Sequence, residues 1–335
     1  MTLHVIDATD DSCFARWFEV LQAAELFRER GPGPGWQPDE WRARAFDEFT
    51  PVHMLAWSDG GDYAAVSALR LTTLDNLHSV RCDLYVHPTL RRRGYGRALL
   101  EATERYAQDH GRREIIVSAM EGSHEVGAGA NRFFAPVMGY DVGDDTRRLD
   151  ISWPVPRPLR ERLRKEWSPF ALDYEILTWL RDTPEDLLAE RSRLCGAMAS
   201  SVPYLNLDSE QEVWSVDRVR TWEATTRAMG RLLMVAVARD VRRGELVAFS
   251  ELTISETSTD TAYQWDTLVR PDHRGRRLGG LIKLANFDQL ETTGLTPRRI
   301  STFNSVVNQP MISVNRTLGG VVTGGAVLWR KELLT

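Results

Sequence analysis

The feature that most constrains this chain is that it repeats itself once. Shifted by 183 positions, residues 52–99 lie over residues 235–282 without a gap. Val52, Gly61, Ala65, Ser67, Leu69, Asp83, Val86, Pro88, Arg91, Arg93 and Gly96 meet identical residues at Val235, Gly244, Ala248, Ser250, Leu252, Asp266, Val269, Pro271, Arg274, Arg276 and Gly279. Solenoids and propellers repeat every 20–50 residues or so, so this period is that of a duplicated domain. The 335 residues agree, being enough for about two domains.

The matched stretch ends in a motif that carries chemistry. Residues 82–86 are β-prone, and Pro88 stops them as a strand. From Arg97 to His110, Leu99, Leu100, Thr103, Tyr106 and Ala107 mark one face of a helix, closed by Gly111. Between them stand Arg91, Arg92 and Arg93, at a helix N-terminus whose dipole disfavours cations. Gly94 and Gly96 let a ligand approach the backbone closely. Arginines beside the unpaired amides of a helix start make an anion site, and a diphosphate fits it.

Arg91, Gly94 and Gly96, set between a strand and an amphipathic helix, resemble the pyrophosphate loop of the GNAT (Gcn5-related) acetyltransferases. The resemblance implies an α/β (α+β) fold of two tandem GNAT-like domains, each a mixed, mostly antiparallel sheet flanked by helices. It implies acetyl-CoA as cosubstrate. Val86 would face the pantetheine arm, and Arg91, Arg92, Arg93, Gly94, Tyr95, Gly96 and Arg97 would hold the diphosphate. In the second copy the corresponding residues are Leu268, Val269, Arg274, Gly275, Arg276, Arg277, Leu278 and Gly279. This copy departs from the pattern, since Arg277 stands where the first glycine belongs. Asn304 and Asn308 resemble the family's strand-to-helix region beside the CoA thiol.

Composition narrows the function classes. A net charge of −5 argues against nonspecific nucleic-acid binding and makes the arginine clusters local features. Cys13, Cys82 and Cys195 are scattered without metal spacing, as expected of reduced cytoplasmic thiols, and no metal is expected. Neither a signal peptide nor a membrane-spanning run is evident. Oligomeric state and the identity of the acceptor are left open.

Taken in order, the chain predicts a strand at 3–7, a helix from Ser12 to Arg30, a break at 31–35, and a helix from Pro38 to Phe49. Strands follow at 52–57, 63–72 and 79–86, then the motif helix and a strand at 115–119. The first domain is expected over 1–153 and a proline- and arginine-rich linker over 154–167, with Arg160–Glu166 either solvated or a short helix. The second domain is expected over 168–335: a strand at 174–179, helices at 184–198 and 216–229, strands at 232–238, 245–254 and 262–269, and a strand at 299–303. Gly324 and Gly325 are expected to turn a hairpin.

Acetyl transfer to an amine needs a base for the ammonium and a donor for the departing thiolate. The tyrosine that many GNAT enzymes use as donor is replaced by Ala135 in the first half and Asn315 in the second. Strand alternation puts Glu251 on one face with Val247, Phe249 and Thr253, an apolar setting that raises a carboxyl pKa. A hairpin centred at Ser258 and Thr259 sets Asp266 opposite it, a coupled pair with one member able to accept a proton. Ala68 replaces Glu251 in the first half. The expected function is therefore an acetyl-CoA-dependent N-acetyltransferase of a small-molecule amine, catalytic in its second domain through Glu251 and Asp266. The first domain would be structural or would hold CoA. The alternatives are a mycothiol-synthase-like acetylase of a thiol precursor and a non-catalytic acyl-CoA sensor or scaffold. His273 is read as a loop cap or phosphate contact rather than a base.

Overall fold

A computed structural model describes residues 2–30, 35–207 and 210–333. The expected break at 31–35 falls mostly outside these residues. The chain divides into two compact units, one of Met1–Arg147, Leu205–Leu207 and Gly324–Thr335, the other of Arg148–Tyr204 and Asp208–Thr323. These limits differ from a cut near 153–168, because the last strand of the chain belongs to the first unit. No described helix is long and apolar enough to cross a membrane.

The first unit begins with β1 (Thr2–Ile6), α1 (Asp11–Glu29), α2 (Pro38–Ala45), β2 (Val52–Asp59), β3 (Asp62–Arg70) and β4 (Ser79–Val86). It continues with α3 (Tyr95–Asp109), β5 (Glu114–Gly122), α4 (Asn131–Val137) and the start of β6 (Asp141–Ser152). Asp10 caps α1, accepting from the amides of Ser12 and Cys13. On one face of the sheet α1 and α2 bury Phe14, Trp17, Leu21 and Trp41 against Met54, Val66 and Ala68. On the other, α3 buries Leu99, Leu100 and Ala107 against Leu55, Leu69, Val80 and Cys82. The strands run in the order β1-β2-β3-β4-β5, and the sixth place is taken by the chain's last strand, residues 324–332. Gly324 to Glu332 pair antiparallel with Gly122 to Glu114, and Val327, Trp329 and Leu333 complete the α3-side core.

The expected hairpin at Gly324 and Gly325 is therefore wrong, since both lie inside one continuous strand, Val321–Glu332. Their small size serves packing instead. A Cβ on Gly325 would come within 2.5 Å of the Thr146 carbonyl oxygen.

The second unit holds the end of β6, α5 (Arg157–Trp167), β7 (Tyr174–Leu180), α6 (Leu188–Gly196), α7 (Met198–Ser201), α8 (Val216–Ala228), β8 (Arg231–Asp240) and β9 (Leu246–Ser255). It closes with β10 (Thr261–Val269), α9 (Leu278–Thr292), β11 (Arg299–Ser305), α10 (Gln309–Thr317) and the first residues of β12 (Val321–Glu332). Its strand order is β6-β11-β10-β9-β8-β7. The stretch expected as part of a linker is α5, an integral helix. Leu163 and Trp167 are buried against α9, a Cβ on Gly280 would lie 2.3 Å from the Trp167 ring, and Arg160 pairs with Asp288 and Glu291 at 3.0 and 2.8 Å. Regular i, i+3 and i+4 apolar spacing hidden among arginines gives that helix its buried stripe.

The two copies also differ in their first hairpin. In the first unit β2 ends at Asp59 and β3 resumes at Asp62, whereas in the second β8 ends at Asp240 and β9 resumes at Leu246. The pairing follows, with Met54 opposite Ala68 but Val235, not Val237, opposite Glu251. The ungapped sequence match thus aligns the third and fourth strands of each copy but slips by two residues across this turn.

Candidate cofactor loops and acceptor-side clusters

Both loops have one backbone design. In the first, a short 3-10 turn at Pro88–Leu90 leads into Arg91, then Arg92 at φ 66°, and Gly94 at φ 88° starts α3. In the second, the turn is Pro271–His273, Gly275 has φ 79°, and Arg277 at φ 58° starts α9. The two left-handed positions therefore match, but glycine holds the second in one copy and the first in the other. Arg277 adopts the conformation of the glycine it replaces, at a cost of about 1–2 kcal/mol for a residue with a Cβ.

Neither helix start is capped by a side chain or carries an acid in its first turn. The leading amides are left for a ligand. Arg91 Nε donates to the Val86 carbonyl at 3.5 Å, and its counterpart Arg274 Nε donates to the Val269 carbonyl at 3.3 Å. These two arginines shape the loops, whereas Arg92, Arg93, Arg276 and Arg277 are exposed. A Cβ on Gly96 would come within 3.2 Å of Val86, so glycine lets helix and strand meet there. In front of Gly94 the space is open. This donor set suits a diphosphate, with exposed cations and bare amides on one concave turn.

Each loop also sits at a forked pair of parallel strands. β4 pairs with β5 from Ser79 to Asp83 only, leaving Leu84, Tyr85 and Val86 unpaired on that side. β10 pairs with β11 from Thr261 to Tyr263 only, leaving Leu268 and Val269 beyond the fork. In the second unit the fork begins at a bulge between Gln264 and Thr267. The first unit has no such irregularity between β3 and β4. A fork exposes strand-edge amides and carbonyls to which an extended, amide-bearing arm can pair.

The carboxylates singled out in the sequence lie apart from one another in role. Glu251 is buried and forms an ion pair with Arg191 of α6, which is itself buried and lies 4.2 Å over the Phe249 ring. Burial pushes the Glu251 carboxyl up, against the pull of Arg191. Asp266 falls in the bulge opposite Glu251 and is exposed, so the expected carboxylate pair is replaced by a carboxylate–guanidinium pair. Val247 leaves the face of Glu251 as well. A register shift between Ala238 and Arg239 turns it to the α9 side, where it joins Ala248 and Leu252. Local alternation cannot anticipate a bulge, which explains both differences.

Asn304 and Asn315 are buried together, Asn315 Nδ2 donating to Asn304 Oδ1 at 3.0 Å, while Asn315 Oδ1 has no partner among the described residues. Asn308 is the N-cap of α10, its side chain accepting from the Met311 amide at 3.4 Å. His273 is buried and bonded through Nδ1 to the Tyr174 hydroxyl at 2.9 Å, a structural contact.

The sequence reading missed a cluster in the first unit. Near the C-terminal end of α1, Glu25 lies 3.6 Å from Arg28, with its side chain 18% exposed. Burial is the main cause that raises its carboxyl to about 7, with Arg28 opposing and Asp83 and Glu29 adding to the rise. The same turn of α1 touches both arms of the fork. The Arg91 guanidinium lies 4.5 Å over Phe27, and a Cβ on Gly122 at the end of β5 would come within 2.6 Å of the Arg28 carbonyl. Gln22, Leu26 and Glu29 surround Glu25 on its helix, so no local pattern in the sequence marks it as buried. Only the fork reveals what covers it.

Comparison with known proteins accords with this geometry. The model of the acetyltransferase (GNAT) family matches residues 17–140. Comparison with curated proteins gives no match. A solved tandem GNAT protein from the clavulanic acid biosynthesis pathway, determined without AcCoA, is 25% identical with a TM-score of 0.79, covering 100% of this chain and 99% of its own. A GCN5-related N-acetyltransferase from Sphaerobacter thermophilus is 18% identical with a TM-score of 0.67 over 100% and 96%. A putative acetyltransferase from Pyrococcus horikoshii is 11% identical with a TM-score of 0.59 over 99% and 89%. Residues 17–140 carry a GNAT acetyltransferase domain, and over its whole length the chain is similar in fold to a tandem GNAT protein.

Proposed function

We propose that the chain is an acetyl-CoA-dependent N-acetyltransferase acting on the amine of a small molecule. One observation carries this reading: each unit opens an uncapped, arginine-lined helix start at the mouth of a forked parallel strand pair. The amides that begin α3 and α9, with Arg92, Arg93 and Arg97 in one loop and Arg276 and Arg277 in the other, hold the diphosphate. The edges at Val86 and at Leu268 and Val269 receive the pantetheine arm. Acetyl-CoA supplies an activated acyl group as its thioester. The protein's part is to hold the acceptor amine near that group, keep it unprotonated and exclude competing nucleophiles. With Ala135 and Asn315 in place of a hydroxyl donor, solvent protonates the departing thiolate.

The expected assignment of chemistry to the second half rested on Glu251. Its ion pair with buried Arg191 gives Glu251 a structural role, although burial still raises its carboxyl. The missing hydroxyl in both halves favours one other reading, a sensor that binds acetyl-CoA without turning it over. Thiol release decides between them. The full chain, supplied with acetyl-CoA and a panel of simple amines and amino acids, should release CoA in proportion to added amine. Saturable acetyl-CoA binding with no amine-dependent thiol would identify a sensor.

A further inference from the structure

We propose that the first unit holds a transfer site of its own, in which Glu25 takes the proton of the acceptor's ammonium and Arg44 receives the acceptor's carboxylate, so that the acceptor is a small amino acid. The proposal rests on the acetyltransferase reading above and names the residues and substrate class for one of its two forks.

The turn of α1 that bears Glu25 bridges the two arms of the fork, packing on Arg91 after β4 and on Gly122 at the end of β5. Glu25 Oε2 also lies within 2.5 Å of where a Cβ on Gly35 would be, so the segment entering α2 passes directly over the carboxylate. A base must stand near the mouth where thioester and amine meet, and Glu25 is the carboxylate that α1 brings there.

Glu25 is faced by Arg28 and Glu29 from α1, and by Asp83 and Tyr85 from β4. Asp83 pairs with Arg70 of β3 at 3.0 Å. Glu25 is held more loosely, by Arg28 at 3.6 Å, a guanidinium that also meets Glu29 at 3.1 Å. Of the two carboxylates, Asp83 has the closer guanidinium and Glu25 the looser one. A carboxyl raised to about 7 is well matched to accepting a proton near neutral pH.

Arg44 supplies the substrate class. It projects from α2 toward the same group of charges, sensing Arg70, Asp83 and Asp47. Its guanidinium lies 5.0 Å over the Trp36 ring, and among the described residues no carboxylate lies within ion-pair distance of it. Burial and the like charge of Arg70 lower it to about 10. A partly buried guanidinium that stacks on an indole and feels Asp83 and Asp47 only beyond ion-pair distance is suited to bind a planar carboxylate in bidentate fashion. With base and guanidinium both around Asp83, the acceptor carries ammonium and carboxylate on one small skeleton.

The step balances. Glu25 takes one proton from the ammonium, and the nitrogen lone pair forms the C–N bond to the acetyl carbon. The C–S bond breaks with its electron pair on sulfur, and the second amine proton goes to solvent. Water protonates the thiolate, giving the N-acetyl amino acid and CoA.

The test uses the full chain with three variants, Glu25→Gln, Glu251→Gln and Arg44→Gln, and an amino-acid panel set against the matching carboxamides. Glu25→Gln should lower amine-dependent CoA release by about two to four orders of magnitude and remove the acidic limb of its pH profile, with acetyl-CoA affinity unchanged. Glu251→Gln should keep that limb. Arg44→Gln should raise KM for the amino acid and not for its carboxamide. A second readout needs no turnover. The Glu25 carboxyl is raised from 4.5 to about 7 on folding, so its protonated form favours the folded chain at low pH and that stability is lost as pH rises through 7. The melting temperature of Glu25→Gln should therefore gain on wild type between about pH 4.5 and 7 and stay ahead above it. A Glu25→Gln chain with the wild-type rate and acidic limb overturns the proposal, as does a melting difference that does not vary with pH. No amine-dependent CoA release from the wild-type chain overturns the acetyltransferase reading itself. Release from wild type that Glu25→Gln leaves intact overturns this proposal alone.

Discussion

Glu251 and Arg191 show how a residue reads differently alone and in its packing. Each is almost fully buried, and Arg191 Nε and Nη1 have no acceptor among the described residues, so Glu251 is the anion that keeps this guanidinium tolerable. Removing one partner of such a pair strands the other charge in an apolar setting. Glu251→Ala should therefore cost about 3–5 kcal/mol of unfolding free energy, measured by urea denaturation. Arg191→Met combined with Glu251→Leu should recover most of that loss, because two apolar side chains replace two charges. If the single variant unfolds like wild type, the pair is not structural and a chemical role returns for Glu251. From sequence, the burial of Glu251 was legible in its apolar neighbours on β9. Its partner was not, because Arg191 lies 60 positions away on a helix that reads as an ordinary charged one. Asp266 was expected opposite Glu251 and is, but the bulge carries it to the surface.

At the scale of elements, the strands and helices of the matched stretch were visible because alternation and i, i+4 spacing are local signals. The cofactor loops were visible for the same reason, since arginines and glycines stand within seven residues between a strand and a helix. The role of β12 was not, because strand pairing across the sheet depends on contacts far apart in sequence. Its glycines read as a turn until Gly324 and Gly325 were found facing Gly122 and Glu121. The strand is anchored by more than its ladder. Trp329 Nε1 donates to Asn131 Oδ1 at 3.0 Å, and Lys331 Nζ reaches both Glu104 oxygens at 2.9 Å, beside the Tyr140 hydroxyl that donates to the same carboxylate at 2.8 Å. Ending the chain at Thr323 should leave β5 an open edge and expose the α3-side core. Hydrogen exchange should then show lost protection of the Glu114–Gly122 amides, while those of β8 and β9 keep theirs. Protection of β5 equal to wild type would mean that the first unit is complete without β12. The smaller change Trp329→Ala should cost about 3–5 kcal/mol, as loss of a buried indole does.

Over the whole molecule, duplication has kept the backbone of the cofactor loop while its side chains drifted. Left-handed residues recur 183 positions apart at Arg92 and Gly275, and again at Gly94 and Arg277, so the turn survives an exchange of which position bears glycine. The acceptor side has diverged further. A carboxylate on α1 stands at the first fork, and a carboxylate–guanidinium pair is buried behind the second. Connectivity binds the halves as well, since a chain cut near residue 160 would leave the first unit without residues 324–335. If both repeated turns are acetyl-CoA sites, calorimetric titration of acetyl-CoA into the full chain counts them. Wild type should bind two equivalents. Gly94→Asp, which sets an anion and a strained Cβ where the first diphosphate belongs, should bind one while keeping its fold by circular dichroism. Two equivalents bound by the Gly94→Asp chain, at wild-type affinity, would mean that the first turn is not an acetyl-CoA site.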